Sequence, residues 1–255
     1  VRDSYLNLNG YWDYAFTQEF VCPKEFDGKI LVPFSPEAAL SGVNRQLMPN
    51  EYLWYHRTFS VDGHKTKRAG ESFSEEDPES GMGADLTEER LLLHFGAVDQ
   101  ACVVWVNGQR IGKHTGGYLP FEFEITEAVQ AGENDLVVAV KDLSDTSYHS
   151  RGKQKLERGG MFYTAQSGIW QTVWLERVPE KYIKEVETLP EPDEEKVRII
   201  VRSGAEYAVK IVLQKPKIHK ELKKNVPDDP VEDMTGSRIA DPVESTTETT
   251  IGTFY

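Results

Sequence analysis

The feature of this sequence that most constrains its fold is a period of two in its apolar residues. Successive side chains of a strand point to opposite faces, so such alternation is typical of strands buried on one side only. We therefore expect a protein built from half-buried β-strands. The clearest examples are Leu91, Leu93 and Phe95, then Ala101, Val103 and Trp105, then Leu136, Val138 and Val140.

Turn signals separate these segments. Asn107 and Gly108 stand between VVWV and QRIGKH, and both residue types tolerate the positive φ that a type I′ hairpin turn requires. Further strands are expected at 54–61, 121–125 and 169–176, and only 126–130 has the pattern of a short helical turn. Many short strands joined by frequent turns indicate an antiparallel β-sandwich rather than a parallel sheet.

The length indicates more than one domain. The 255 residues exceed one ordinary sandwich, yet they are too few for a sandwich plus a (β/α)₈ barrel, which alone needs about 250 residues. After Val178 a charged segment with several prolines interrupts the strands, and alternation restarts at 197–201 and 207–213. The sequence thus predicts a first domain at 1–179 and a partial immunoglobulin-like β-sandwich at 180–255.

The acidic charge is unevenly distributed. The formal net charge is −13, but residues 91–175 are nearly neutral, with nine carboxylates against seven bases. Residues 71–89 hold eight carboxylates and no base, so we expect an acidic loop insertion at about 62–89. That loop is either a flap that docks a partner or a surface loop of no special role.

Several classes of protein are disfavoured. An acidic chain does not suit nucleic acid, and no run of about 20 apolar residues suggests a membrane span. No signal peptide is visible, so we expect a cytoplasmic location. Cys22 and Cys102 are expected to be reduced thiols, and neither they nor the histidines show metal or cofactor spacing. We assign no cofactor and no metal, although a structural calcium between loops stays open.

A basic loop is the best candidate for ligand contact. Four bases and one acid between Arg151 and Arg158 give this stretch a local charge of +3 in an acidic protein. Its donors suit a sugar or an anion, and the alternatives are a solvated loop or an interdomain salt-bridge patch. The candidate contact residues are Arg151, Lys153, Gln154 and Arg158, with Tyr163 and Gln166 as lesser candidates of the same kind.

Six strings, in their order and spacing, resemble the N-terminal jelly-roll domain of family 2 glycoside hydrolases, which include β-galactosidases, β-glucuronidases and β-mannosidases. The resemblance extends over residues 3–178, and the segment after 180 is similar to the start of the immunoglobulin-like domain that follows in those enzymes. The strings are LNGYWDYAF, ILVPFSPEAALSG, LWYHRTF, VWVNGQRIGKHTGGYLPFEFEIT, NDLVVAVKD and SGIWQTVWLE.

The resemblance implies a jelly-roll sandwich whose loops reach the edge of an active site. In that family the two catalytic carboxyl groups, about 5 Å apart in retaining enzymes, belong to a barrel domain, so we assign no catalytic residue here. The loop VPFSPEAALSG then offers Ser35 and Glu37 as substrate-proximal residues. Several members place an acidic residue before the SGI string, whereas residues 159–166 contain none.

Three functions remain open at this point. The first is the non-catalytic N-terminal portion of a retaining glycoside hydrolase acting on terminal β-linked sugars, with carbohydrate and a C-terminal catalytic barrel of the same polypeptide as its partners. The second is a free-standing carbohydrate-binding module. The third is a structural or oligomerisation module, which implies a homo-oligomer.

Overall fold

The computed structural model describes residues 2–61, 89–194 and 196–203. The acidic insertion expected at about 62–89, apart from its last residue, and the strand expected at 207–213 lie outside the described residues. The chain divides into two compact units, Val1–Tyr182 and Ile183–Tyr255. Each unit is described by itself.

The first unit is made of short strands and three single turns of 3₁₀-helix. Its strands are β1 Leu6–Asn7, β2 Gly10–Thr17, β3 Gly28–Val32, β4 Tyr52–Val61, β5 Glu89–Phe95, β6 Val98–Asp99, β7 Ala101–Val106, β8 Gln109–Thr115, β9 Phe121–Glu124, β10 Gly132–Lys141, β11 Gln154–Lys155, β12 Tyr163–Thr164, β13 Gly168–Ile169 and β14 Val173–Pro179. The 3₁₀ turns are Ala39–Ser41, Thr126–Ala128 and Ser144–Thr146. In these ranges no helix is long and apolar enough to cross a membrane.

Two antiparallel sheets form a β-sandwich of the jelly-roll type, as predicted. One sheet has the strand order β1-β14-β5-β9, and the other has the order β3-β2-β4-β10-β7-β8. The inward residues of both sheets share one apolar core, in which Leu93 of β5 and Val104 of β7 are fully buried. The alternating apolar residues are therefore the ones that the sandwich buries.

In the central strand β10, the alternating apolar residues are paired with buried residues of both neighbouring strands. Its Val138 is paired with Tyr55 of β4 on one side and with Val104 of β7 on the other, and all three side chains are fully buried. The predicted turn after β7 is confirmed, because Asn107 has φ 50° and Gly108 has φ 77°. This geometry lets β7 return directly as β8.

The prediction of one strand over 169–176 is wrong. The chain forms β13, which pairs with β6, and then β14, which pairs with β5. Where the pairing changes, the backbone N–H of Gly96 donates to the carbonyl of Thr172 at 2.8 Å, and a Cβ on Gly96 would lie 2.7 Å from the Cβ of Gln171. Strand pairing is interrupted in both segments where their backbones approach closely. The alternation of apolar residues in the sequence does not reveal this contact.

The second unit is described for one hairpin. Strands β15 Ile183–Glu191 and β16 Lys196–Ser203 pair antiparallel around a 3₁₀ turn at Pro192–Glu194. A register shift falls between Ile183 and Glu185. The rest of the predicted immunoglobulin-like sandwich lies outside the described residues.

The shared core generates a stability prediction. We expect Leu93→Ala to lower the free energy of unfolding by about 2–5 kcal/mol, because it empties a fully buried site between the sheets. Leu40→Ala is the matched control, since Leu40 is 70% exposed and its loss is expected to cost less than about 0.5 kcal/mol. Urea denaturation of the two variants measures the difference, and equal losses would contradict this account of the core.

Candidate functional site

An open cleft of about 630 Å³ lies among the loops of the first unit. It is bounded by the turn before β9 and by the segments that contain β11 and β12. Five of its lining residues are sequence candidates, namely Arg151, Lys153, Gln154, Tyr163 and Gln166. The full lining is Tyr118, Arg151, Gly152, Lys153, Gln154, Tyr163, Thr164 and Gln166.

The backbone joins the two loop segments that line the cleft. Strands β11 and β12 form a short parallel pair, with Gln154 opposite Tyr163. The Tyr163 N–H donates to the carbonyl of Lys153 at 2.8 Å. Because these are backbone bonds, the spacing of the two segments does not depend on the side chains that face the cleft.

The basic loop is also held from outside the cleft. The N–H of Leu156 donates to the Asp145 carboxylate at 3.1 Å, and the carbonyl of Leu156 accepts from the Gln46 amide at 3.2 Å. The Arg151 guanidinium donates to the carbonyl of Ser147 at 2.9 Å. Arg151 therefore has a set orientation, with most of its N–H donors still available.

A second layer of hydrogen bonds orients the two glutamines. The Gln154 side-chain oxygen accepts from the backbone N–H of Gln166 at 2.6 Å. The side-chain oxygen of Gln166 in turn accepts a short hydrogen bond from the Ser35 hydroxyl. Both amide oxygens are used inside the protein, and no described residue accepts a hydrogen bond from either amide nitrogen.

Ser35 and Glu37 support the cleft and do not line it. Ser35 is 3% exposed and orients Gln166. Glu37 accepts from both the hydroxyl and the N–H of Ser167, at 2.6 and 3.1 Å, and from the N–H of Leu47 at 3.2 Å. The VP-containing loop thus positions the segment that carries Gln166.

Arg158 is likewise a supporting residue. Its guanidinium donates to the hydroxyl of Thr164 at 2.9 Å, and it does not belong to the lining. Lys155 does not line the cleft either. Its ammonium lies 4.4 Å from the centre of the Phe162 ring. Of the four bases in the loop, Arg151 and Lys153 are therefore the two that face the cleft.

Tyr118 is a lining residue that is not among the sequence candidates. A Cβ on Gly117 would overlap the Asp99 carboxylate, so only glycine fits at that position. The Gly117 carbonyl accepts from the Trp170 indole at 2.8 Å, and the Tyr118 ring contacts the Trp170 ring edge-on. These contacts leave the Tyr118 side chain exposed at the cleft.

Three carboxyl groups lie near this turn, namely Asp99 and Asp142, which are buried, and Glu37, which is partly buried. Loss of solvent contact raises the pKa of each. Burial and then the charges of Asp142 and Glu37 raise the pKa of Asp99 to about 7. No hydrogen bond from a described residue reaches its carboxyl group, whereas Asp142 accepts from the N–H of Ser144 at 2.7 Å and faces His149 at 3.4 Å. Asp99 and Asp142 were missed, although each is a charged residue at the end of an apolar strand.

The two glutamates of β9 form ion pairs outside the cleft. Glu122 pairs with His94 at 3.2 Å and Glu124 pairs with Arg90 at 3.1 Å, and neither lines the cleft. Among the described residues, no group of three or more His, Cys, Asp or Glu side chains is arranged to hold a metal ion. The chemistry that these residues offer at the cleft is therefore hydrogen bonding.

Comparison with known proteins identifies the sandwich. Residues 81–179 match the family model described as "Glycosyl hydrolases family 2, sugar binding domain". The strands from β5 to β14 are thus similar to the sugar binding domain of that family.

Curated relatives of the sugar binding domain are longer enzymes. A putative β-glucuronidase of Formosa agariphila is 33% identical over 109 residues, which cover 42% of this chain and 12% of that protein. A β-galactosidase of Thermoanaerobacter pseudethanolicus is 34% identical over 100 residues, which cover 38% of this chain and 13% of that protein. The matches thus span about an eighth of these two relatives.

A solved structure has the same fold as the sugar binding domain and its surroundings. The β-glucuronidase of Lactobacillus rhamnosus superposes with a TM-score of 0.54 at 23% identity, over 80% of this chain and 34% of that one. At this identity the likeness concerns the fold alone. It supports the sandwich architecture independently of the family match.

The raised pKa of Asp99 predicts a pH-dependent stability. Since the folded pKa of about 7 exceeds the ordinary value of 3.8, the contribution of Asp99 to stability is greatest below pH 4 and is lost as the pH rises through 7. Asp99→Asn is expected to raise the free energy of unfolding at pH 8 by on the order of 2–4 kcal/mol, and the gain should shrink towards pH 4.

Chemical denaturation at a series of pH values measures this effect. Asp3→Asn is the control, because Asp3 is exposed and this substitution removes the same charge from the chain. Its effect is expected to stay below about 0.5 kcal/mol at every pH. A gain for Asp99→Asn that does not change between pH 4 and pH 8 would contradict a buried, uncompensated charge.

Proposed function

We propose that this chain is the non-catalytic N-terminal portion of a retaining glycoside hydrolase that acts on terminal β-linked sugars. Its cleft forms one edge of the active site, and a catalytic barrel on the same polypeptide supplies the two carboxyl groups that cleave the bond. The observation that carries the proposal is the fixed, donor-rich cleft on a family 2 sandwich.

The cleft has the chemistry of a sugar contact. Tyr118 and Tyr163 are 44% and 69% exposed, and a partly exposed aromatic ring offers a face to the C–H groups of a pyranose. Arg151 and Gln154 add hydrogen-bond donors whose positions are set by bonds to Ser147 and Gln166. Fixed aromatic and polar groups of this kind orient a ligand without reacting with it.

The relatives support the choice of reaction. Two relatives of the sandwich are named as β-galactosidase and putative β-glucuronidase, and this chain covers only 12–13% of their length. A retaining glycosidase needs two carboxyl groups about 5 Å apart on either side of the bond. The described carboxylates that face the surface near β9 are paired with His94 and Arg90 instead.

A free-standing carbohydrate-binding module is the second candidate. It is supported by the exposed rings of Tyr118 and Tyr163, which can contact a sugar without a residue from a barrel. Such a module binds its sugar without a barrel. Sub-millimolar binding of a neutral monosaccharide by the isolated chain would favour this alternative.

Hydrolysis is the direct test of the first proposal. The 255-residue chain is expected to release no phenol from aryl β-galactosides, β-glucuronides or β-mannosides, whereas the full-length polypeptide from the same gene is expected to hydrolyse at least one of them. Turnover by the isolated chain, or a full-length polypeptide with no glycosidase activity, would overturn the proposal.

The contribution of the cleft is tested in the full-length polypeptide. Changing Arg151 and Lys153 together to alanine is expected to lower kcat/KM by about tenfold or more, because two charged donors at the substrate are lost. Arg110→Ala with Lys113→Ala is the matched control, since both residues are exposed on β8 and outside the cleft. Equal kcat/KM values for the two double variants would show that the basic loop does not contribute to the active site.

A further inference from the structure

We propose that the cleft is selective for an anionic saccharide, and that Arg151, Lys153 and the amide of Gln154 bind the charged oxygens of its carboxylate or sulfate group. This inference rests on the proposed function, because it names the substrate class of the same site. It goes further in assigning a charge preference to residues of this chain.

The first argument is the balance of donors and acceptors. Arg151 and Lys153 can only donate hydrogen bonds. Gln154 could do both, but its oxygen is already taken by the backbone N–H of Gln166 at 2.6 Å. Its NH₂ group is therefore what remains for a ligand, and Gln166 is oriented in the same way by Ser35. A set of groups that mostly donate favours a ligand rich in acceptors.

The second argument is charge. Among the described residues that line the cleft none is acidic, while two are cationic. Thr164, a further lining residue, already accepts from Arg158 at 2.9 Å, which keeps another positive charge beside the cleft. A neutral sugar would leave these charges uncompensated, whereas a carboxylate or sulfate would neutralise one of them at short range.

The third argument is preorganisation. Arg151 is held by Ser147, and the two segments that line the cleft are joined through Tyr163 and Lys153. Donors that are already fixed lose little conformational entropy when a ligand binds. Since Arg151 donates to Ser147 through one nitrogen, its remaining donors can meet a planar carboxylate or a tetrahedral sulfate.

Two carboxyl groups oppose this preference. Burial and then the charges of Asp99 and Asp142 raise the pKa of the Tyr118 hydroxyl, so both lie near the cleft. The pKa of Asp99 itself is about 7, and part of its charge is therefore absent at neutral pH. Asp142 accepts a hydrogen bond from the Ser144 N–H at 2.7 Å and lies 3.4 Å from the His149 ring, so its oxygens are engaged within the sandwich. The cationic groups, which line the cleft directly, outweigh them.

Binding to the 255-residue chain tests the inference without any need for hydrolysis. We would titrate methyl β-glucuronide, methyl β-glucoside and methyl β-glucoside 6-sulfate at pH 7 and low salt, following side-chain amide signals by NMR. Without a barrel we expect dissociation constants above about 1 mM. At least one charged glycoside is expected to bind about fivefold or more tightly than the neutral one, and added salt should reduce this ratio.

Isosteric variants locate the effect. Gln154→Glu keeps an oxygen for the Gln166 N–H but replaces the outward NH₂ by a negative oxygen, so the preference for charged glycosides is expected to disappear. Lys153→Met should reduce it about threefold or more, whereas Lys113→Met, which removes the same charge from an exposed position on β8, should leave it unchanged. Unchanged thermal melting of the variants shows that the fold is intact.

The arms of the experiment separate the outcomes. Tighter binding of the glucuronide identifies a uronate site, and tighter binding of the sulfate identifies a sulfated sugar; either result supports the inference. Equal binding of charged and neutral glycosides overturns it, and so does an unaltered preference in Gln154→Glu. Failure of all three ligands to bind also overturns it. The proposed function is tested separately, by measuring hydrolysis with the full-length polypeptide.

Discussion

The partly buried carboxylate of Glu37 forms the interaction on which the cleft depends. It accepts hydrogen bonds from Ser167 and Leu47, two positions that are far apart in sequence. Burial raises the pKa of this carboxyl group, and the hydrogen bonds from Ser167 and Leu47 oppose that shift. The sandwich would keep its core without Glu37, since that core is apolar, but the segment that carries Gln166 would lose its anchor.

A series of hydrogen bonds connects this anchor to the residues that line the cleft. Gln166 lies next to Ser167, its N–H sets the amide of Gln154, and Gln154 stands in β11 opposite Tyr163. Each step uses a backbone group or a partly buried side chain, so the positions of the exposed residues are set by groups behind them. The result is an edge of hydrogen-bond donors whose positions are fixed by the loops.

The sequence predicted the sandwich well because strand alternation is a local signal that burial enforces along each strand. It also located the basic loop, since a net charge of +3 within eight residues is visible without a structure. The break between β13 and β14 was missed, because the close approach of Gly96 to Gln171 is a contact between distant segments. The grouping of Asp99 with Asp142 and Glu37, and the exposure of Tyr118, depend on such contacts too.

Native-state hydrogen exchange of Glu37→Ala tests the central claim most directly. If Glu37 anchors the cleft, the amide protons of Ser167 and Leu47 should exchange about tenfold or more faster in the variant, because each loses a bond to a charged acceptor. The amide of Val138, inside the core strand β10, should stay as protected as before. Unchanged protection at Ser167 and Leu47 would contradict the account.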